Sequence, residues 1–334
     1  MATYQSFRPA VLRDTLDVAS DVRLFSIEPE HGLSSYQVGS HIDIQVMVNE
    51  RPEYRSFSLV DGGQTEGGVY RIAVKDRPDG HGGSRYLWSL EPGARVMISE
   101  PKDRFPLSHR GHEYLLVAGG IGITPIYGMA RALVARGVDV SVLYAARTQE
   151  QLAFAAELQE LLGDRLKLFV TGEGQRMEAA AEIARLGDDA ELYICGPLSL
   201  REDFLREWLA AGRSQSKFRF ETFASSGKYP DQPFDVRIAN RDMAIRVEKD
   251  QSLLQALQVN GVNEVLYDCE HGECGLCTVD VLDYSGKLDH RDVFYSDRQK
   301  EANNRICTCV SRVYDGELVI DTSRHLVDTG RADA

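Results

Sequence analysis

Three cysteines lie within nine residues in the segment CEHGECGLC, at positions 269 to 277. The whole chain of 334 residues has only six cysteines, so half of them belong to this one loop. Two more follow at some distance, and the spacing of the five is Cys269-x4-Cys274-x2-Cys277, then Cys307 and Cys309. A loop that gathers three thiols so tightly is typical of a metal centre in a reducing compartment.

The spacing also restricts which metal centre the loop can hold. Plant-type [2Fe–2S] proteins use C-x4-C-x2-C with a distant fourth cysteine, whereas zinc sites are usually built from CxxC pairs. We expect Gly272 and Gly275 to supply the positive φ angles that let backbone N–H groups reach the sulfurs. The fourth ligand is Cys307 or Cys309, and because residues two apart on a strand share a face, alternation does not choose between them.

Composition excludes several other classes of protein. The formal net charge of −13 argues against a general nucleic-acid binder, which needs a basic face. The N-terminus has no apolar segment of a signal peptide, and the longest uncharged stretch, residues 114 to 130, is shorter than a membrane span and interrupted by glycines and a proline. We therefore expect a cytoplasmic protein that does not enter a membrane.

The chain separates into three blocks and a linker by its periodicity. Residues 1 to 108 contain short β-branched and aromatic runs bounded by turn residues, which predicts a closed antiparallel β-barrel with one helix at 84 to 90. Residues 109 to 223 alternate apolar strands with helices and predict a doubly wound parallel α/β domain. Residues 224 to 233 have the composition of a linker, and residues 234 to 334 return to strands, with a helix that Ser252 caps.

A glycine-rich turn marks the start of the α/β block. Gly119-Gly120-Ile121-Gly122-Ile123-Thr124-Pro125 follows an apolar strand and opens a helix, as a dinucleotide-phosphate turn requires. Pro125 fits the first helical turn, where its missing N–H costs nothing. After the next strand, only Arg147 is suited to a 2′-phosphate, so we expect NADH rather than NADPH.

The barrel block carries a second phosphate pattern. The run Arg55-Ser56-Phe57-Ser58 precedes Gly82-Gly83-Ser84 at the head of the predicted helix. Helix N-termini bind phosphate through their free N–H groups, and glycines allow close approach. By itself the four-residue run is a weak signal, and an ordinary barrel strand is the alternative.

These motifs together resemble the phthalate dioxygenase reductase-type family. CEHGECGLC…LDHRD…TCVSR resembles the C-terminal [2Fe–2S] ferredoxin (β-grasp) domain of that family. The resemblance implies Cys309 as the fourth ligand beside Cys269, Cys274 and Cys277, because the family's last cysteine stands close before a Ser-Arg pair. Glu270 departs from the family, which more often has a basic residue there.

The resemblance also assigns the two upstream sites. It implies that the barrel binds FMN, with Ser58 near the flavin N5 and with a site formed by Arg55, Ser56, Phe57, Ser58, Val74, Lys75, Gly82, Gly83 and Ser84. It implies that NADH is bound at Gly119, Gly120, Gly122, Thr124, Pro125, Arg147, Cys195, Gly196 and Pro197. Cys195 would lie near the nicotinamide; its alternative role is that of a small buried residue.

The implied function is that of an oxidoreductase for electron transfer. Such a flavoprotein takes hydride from NADH onto FMN and passes electrons singly through a [2Fe–2S] cluster to a partner, a Rieske-type terminal oxygenase or demethylase acting on an aromatic acid or other small molecule. We expect it to act as a monomer. The alternatives are a reductase for another acceptor such as a cytochrome P450, a non-catalytic iron–sulfur carrier, and a zinc-stabilised α/β protein.

Overall fold

The computed structural model describes residues 7–48, 50–63, 66–78, 82–223, 229–270 and 272–323. The chain divides into two compact units, residues 1–222 and 223–334. The predicted boundaries at 108, 223 and 233 stay predictions. Among the described residues, no helix has both the length and the apolar character needed to cross a membrane.

The first part of unit 1 is an antiparallel barrel. Its sheet runs β4-β3-β6-β1-β2-β5, with β7 on β3, and an antiparallel bridge between Leu59 and Ile72 joins the two ends. This closes the barrel as predicted. The elements are β1 (Arg8–Ala19), β2 (Val22–Pro29), β3 (Ser40–Val48), β4 (Arg51–Ser58), β5 (Tyr70–Lys75), α1 (Gly83–Trp88), β6 (Arg95–Ile98) and β7 (Lys102–Asp103).

Strand β1 was not predicted from the sequence, although it is the longest strand described. Its register shifts between Leu12 and Asp14 and again between Asp17 and Ala19. Such bulges break the alternation of apolar and polar residues on which strand prediction depends.

The second part of unit 1 is the predicted doubly wound domain. Its sheet is wholly parallel, in the order β10-β9-β8-β11-β12, so the winding direction reverses between β8 and β11. In such sheets, ligands bind at the carboxyl ends of the strands at this switch point. The elements are β8 (Glu113–Gly119), α2 (Ile123–Ala135), β9 (Asp139–Ala146), α3 (Ala155–Leu162), β10 (Leu166–Val170), α4 (Ala179–Ile183), β11 (Glu191–Cys195), α5 (Leu198–Ala210) and β12 (Phe218–Glu221).

Unit 2 is a mixed sheet, ordered β14-β13-β19-β15-β17, with a two-stranded sheet β16-β18. Its helix α6 begins at a capping box formed by Ser252 and Gln255, as the sequence predicted for Ser252. The elements are β13 (Phe234–Ile238), β14 (Met243–Val247), α6 (Leu253–Val259), β15 (Thr278–Tyr284), β16 (Lys287–Asp289), α7 (Asp297–Glu301), β17 (Arg305–Cys307), β18 (Arg312–Tyr314) and β19 (Glu317–Asp321).

Part of the predicted linker packs against unit 2. Arg291 binds Asp231 at 2.6 Å and the carbonyl of Tyr229 at 3.2 Å, and Arg312 donates to the carbonyl of Gln232 at 3.0 Å. The ring of Tyr229 stacks on Tyr314 with centroids 4.9 Å apart. Residues 229–232 are therefore anchored to this unit, while positions 224–228 of the predicted linker lie outside the described residues.

Candidate functional site

The cysteine loop of unit 2 depends on two glycines that have the predicted positive φ angles, 75° at Gly272 and 71° at Gly275. A Cβ on Gly272 would lie 2.8 Å from the Cα of Asp292, and one on Gly275 would lie 2.3 Å from the ring of Phe294. Both the backbone conformation and the available space therefore require glycine at these positions.

Backbone N–H groups turn toward the first thiol, as predicted. Those of Glu273 and Cys274 donate to Cys269 Sγ at 3.3 and 3.4 Å. The Sγ atoms of Cys277 and Cys309 lie 3.2 Å apart, and the Cys309 thiol also interacts with that of Cys269. The Cys274 thiol also interacts with that of Cys269, so the four cysteines predicted as ligands form one contiguous group of sulfurs.

The premise that Cys307 and Cys309 share a strand face is wrong. Strand β17 ends at Cys307, and the N–H of Ser311 bonds back to the Cys307 carbonyl at 3.0 Å, so Cys309 lies in a turn. Cys307 is fully buried, interacts with Cys277, and has its Sγ 3.8 Å from the Thr278 hydroxyl. The contacts of Cys309 with both Cys269 and Cys277 favour it over Cys307 as a ligand.

The donor set suits a two-iron cluster. A [2Fe–2S] rhomb needs four thiolates spread over two irons, with N–H groups directed at sulfur. The cysteine group and its loop fit that requirement.

In the barrel, Ser58 is the residue that most clearly lacks a partner. It ends β4, is only 4% exposed, and its Oγ has no hydrogen-bond partner among the described residues. A buried hydroxyl without a partner costs free energy, so such groups in native proteins point to a missing ligand or water. The flavin that Ser58 was predicted to bind would supply the partner.

Arg55 lies against the head of helix α1, as the predicted phosphate site requires. A Cβ on Gly83 would lie 2.8 Å from the Arg55 side chain, and Gly82 adopts a φ of 83°. Ser84, in the first turn, is half-buried. Arg55 also forms an ion pair with Glu53 at 2.5 Å, so a phosphate at this position would compete with that carboxylate.

The remaining predicted flavin residues already have protein partners. Phe57 packs against the barrel core, Val74 is buried, and Lys75 pairs with Asp21 at 2.9 Å. Ser56 donates its hydroxyl to Asp43.

Asp43, on β3, was missed by the sequence analysis. It is buried, and its second oxygen accepts from Lys102 at 2.5 Å. Burial alone would raise the pKa of Asp43, but the hydrogen bonds from Lys102 and Ser56 hold it below its usual value. A single Asp within the apolar run HIDIQV is the one sequence signal that could have found it.

Two glycine motifs meet at the switch point of the parallel sheet. A Cβ on Gly122 would lie 2.2 Å from the carbonyl oxygen of Cys195, and one on Gly119 would lie 2.5 Å from Pro197. Gly196 in turn packs on the backbone of Gly119. The turn after β8 and the turn after β11 therefore pack backbone to backbone, and only glycines allow this approach.

The other predicted nucleotide residues occupy the same edge of the sheet. Gly120 has a φ of 56°, Thr124 donates to the Ile121 carbonyl at 3.0 Å, and Pro125 is buried in the first turn of α2. Arg147 follows β9 and is exposed, while Cys195 is fully buried.

Three family profiles match successive parts of the chain. They are the oxidoreductase FAD-binding domain at residues 9–106, the oxidoreductase NAD-binding domain at 116–205, and the 2Fe-2S iron-sulfur cluster binding domain at 236–314.

The chain is 34% identical to the vanillate O-demethylase oxidoreductase of Pseudomonas sp. (strain HR199 / DSM 7063), covering 86% of this chain and 91% of that one. It superposes on phthalate dioxygenase reductase with a TM-score of 0.77 at 29% identity, covering 95% of this chain and 98% of the other.

The chain belongs to the phthalate dioxygenase reductase-type family. A further relative is the heme-dependent oxidative N-demethylase beta subunit of Ectopseudomonas mendocina (strain ymp), 34% identical over 96% of this chain and 100% of that protein. Membership confirms the predicted order of a flavin barrel, a nicotinamide domain and a ferredoxin domain. The protein is an NAD- and flavin-dependent oxidoreductase for electron transfer, of the kind that serves as the reductase component of oxygenase and demethylase systems.

Proposed function

We propose that this chain uses NADH and FMN to supply electrons, through a [2Fe–2S] cluster, to a Rieske-type terminal oxygenase or demethylase. The observation that supports the proposal is that one chain contains a flavin-binding, an NAD-binding and a 2Fe-2S domain, each with residues suited to its cofactor. When bound, a flavin accepts two electrons together from a nicotinamide and releases them one at a time, which the one-electron cluster requires.

The protein's own residues bind and orient these groups. Ser58 offers a buried hydroxyl to the flavin, and Arg55, in exchange for its pairing with Glu53, offers a guanidinium to the flavin phosphate beside Gly82 and Gly83. The backbone turns at Gly119–Gly122 and Cys195–Pro197 form the floor of the nucleotide site. Cys269, Cys274, Cys277 and Cys309 are the proposed cluster ligands, and Cys307 is not among them.

The surroundings of the cysteine loop indicate the kind of partner. Two large apolar side chains beside Gly275 are exposed to solvent: Leu276, the next residue in the chain, is 44% exposed, and Phe294, whose ring lies against Gly275, is 47% exposed. Asp268, Glu270 and Glu273 add acidic side chains in and beside the loop, whereas Glu264 and Asp280 are paired with Arg241 and Arg305. An apolar contact with an acidic surround suits a partner with a basic rim, and we expect electron delivery to weaken as ionic strength rises.

A haem protein is the second candidate acceptor. The beta subunit relative belongs by name to a heme-dependent demethylase. An intact type IV self-sufficient cytochrome P450 monooxygenase contains a region similar to this chain, with a TM-score of 0.65 at 30% identity, covering 94% of this chain and 41% of that one. Both names associate this reductase architecture with haem proteins, which supports a haem acceptor as the second candidate.

Two assays test the proposal. Chromatography of the released flavin distinguishes FMN from FAD, and steady-state reduction of ferricyanide compares NADH with NADPH; FAD or a preference for NADPH would contradict the cofactor assignment. NADH-driven reduction of purified Rieske and haem acceptors then identifies the partner class. Faster reduction of a haem acceptor than of any Rieske protein would favour the second candidate.

A further inference from the structure

A buried carboxylate that the proposed function does not use lies behind the cysteine loop. Asp292 is 0% exposed. Its oxygens accept from the Tyr295 N–H at 2.9 Å and the Ser311 hydroxyl at 3.3 Å, and His290 Nδ1 lies 3.8 Å away. Asp289, also buried, is instead paired with the Arg291 guanidinium at 2.8 Å. The hydrogen bonds that Asp292 accepts from Tyr295 and Ser311 thus come from neutral groups, although burying a charge is expensive.

This carboxylate is fixed to the cluster-binding loop through the backbone. The N–H groups of Val293 and Phe294, the next two residues, both donate to the Gly272 carbonyl, at 2.9 and 3.1 Å. The Cβ position of Gly272 lies 2.8 Å from the Asp292 Cα and 3.1 Å from its Cβ. Gly272, in the loop between Cys269 and Cys274, therefore rests directly on Asp292.

The carboxylate is ionised at neutral pH. Burial acts to raise the pKa of Asp292, but His290 and the Tyr295 N–H stabilise the anion and bring the pKa below its usual value. Lys300, half-buried on α7, donates to the backbone carbonyl of Asp292 at 2.5 Å and places a cation on the solvent side of the same turn.

We propose that Asp292 is a positioning residue of the iron–sulfur site, which holds the loop through the 292–295 turn and whose fixed negative charge makes the cluster harder to reduce. The inference rests on the proposed [2Fe–2S] site. Reduction adds one negative charge to the cluster, and a nearby anion in a low-dielectric interior opposes that change. The Lys300 cation acts in the opposite sense, more weakly because solvent screens it.

The test is a redox titration of the full-length holoprotein, followed by the EPR signal of the reduced cluster. We expect Asp292→Asn to shift the midpoint potential of the cluster to a more positive value and Lys300→Met to shift it to a more negative one. Glu301→Gln, at an exposed acid of the same helix, is the matched control and should leave the potential unchanged. The flavin midpoint potential, measured in the same samples, should not follow these shifts.

The Asp292→Asn and Lys300→Met variants together allow the inference to be refuted even if one of them loses the cluster. If Asp292→Asn fails to retain the cluster, the positioning role is supported and Lys300→Met alone decides the role of charge. An Asp292→Asn protein with a full cluster and the wild-type potential, or a positive shift in Lys300→Met, would overturn the inference. A wild-type protein that binds no cluster would instead contradict the proposed function itself.

Discussion

Replacing Ser58 with Ala should have opposite effects on the protein with and without flavin. The Ser58 hydroxyl is buried and finds no partner within the described parts of the chain, and a hydroxyl left in that state without flavin costs about 1–3 kcal/mol. Removing it should stabilise the apoprotein by up to that amount. Because flavin binding would relieve the same cost in the wild type, the variant should bind flavin about 1–3 kcal/mol more weakly, which is about 5- to 150-fold in Kd.

Two measurements and one control test this prediction. Quenching of flavin fluorescence measures the Kd, and denaturant unfolding of the apoprotein, followed through Trp88 fluorescence in the barrel, measures stability. Ser56→Ala is the matched control, because the Ser56 hydroxyl is already bonded to the buried Asp43 and its loss should destabilise the apoprotein. Ser58→Ala with unchanged flavin affinity and an apoprotein as destabilised as Ser56→Ala would refute the reasoning.

Three further predictions concern the other sites. Gly122→Ala places a Cβ 2.2 Å from the Cys195 carbonyl, and such overlap, which forces the two turns apart, costs about 1–3 kcal/mol. If NADH binds only when the turns are in contact, binding must overcome this cost, and NADH affinity measured by stopped-flow flavin reduction should fall about 5- to 150-fold with flavin and cluster content retained. Normal affinity would show that the two turns separate freely. Cys309→Ser should lose the visible absorbance of the cluster and Cys307→Ser should keep it, and the reverse result would exchange their roles. The pKa of Asp43 is lower in the folded state than in the unfolded chain, so its contribution to stability is present above about pH 4 and is lost as the pH falls through the folded value. Asp43→Asn should therefore flatten the dependence of the unfolding free energy on pH in that range. An unaltered slope would count against the bonds from Lys102 and Ser56.

Local sequence signals predicted the parts of the fold whose geometry is set by neighbours in the chain. The Cys269 loop, the turn at Gly119–Gly122 and the cap at Ser252 each carry their conformational requirement in a few adjacent residues. The contact between Gly122 and Cys195 also follows, once a doubly wound order is accepted, because β8 and β11 flank its switch point.

Features that depend on distant residues were not predictable in the same way. The turn that separates Cys309 from Cys307 depends on bonds from Thr308 to Cys277 and from Ser311 to Cys307, whereas the local pattern looked like a continuous strand. Asp43 is an isolated acid in the sequence, whereas Asp292 belongs to the LDHRD run. The roles of both appear only when Lys102 and Gly272 are brought against them by the fold.

The central claim is that electrons from NADH pass through the flavin to the cluster within this chain. Anaerobic addition of NADH, followed by flavin absorbance and by the EPR signal of the reduced cluster, tests it most directly, with Cys274→Ser as the comparison. We expect the wild type to lose its flavin absorbance and to develop the EPR signal, and the variant to lose the flavin absorbance alone. A wild-type protein with a full cluster whose flavin bleaches while the cluster stays oxidised would contradict the account.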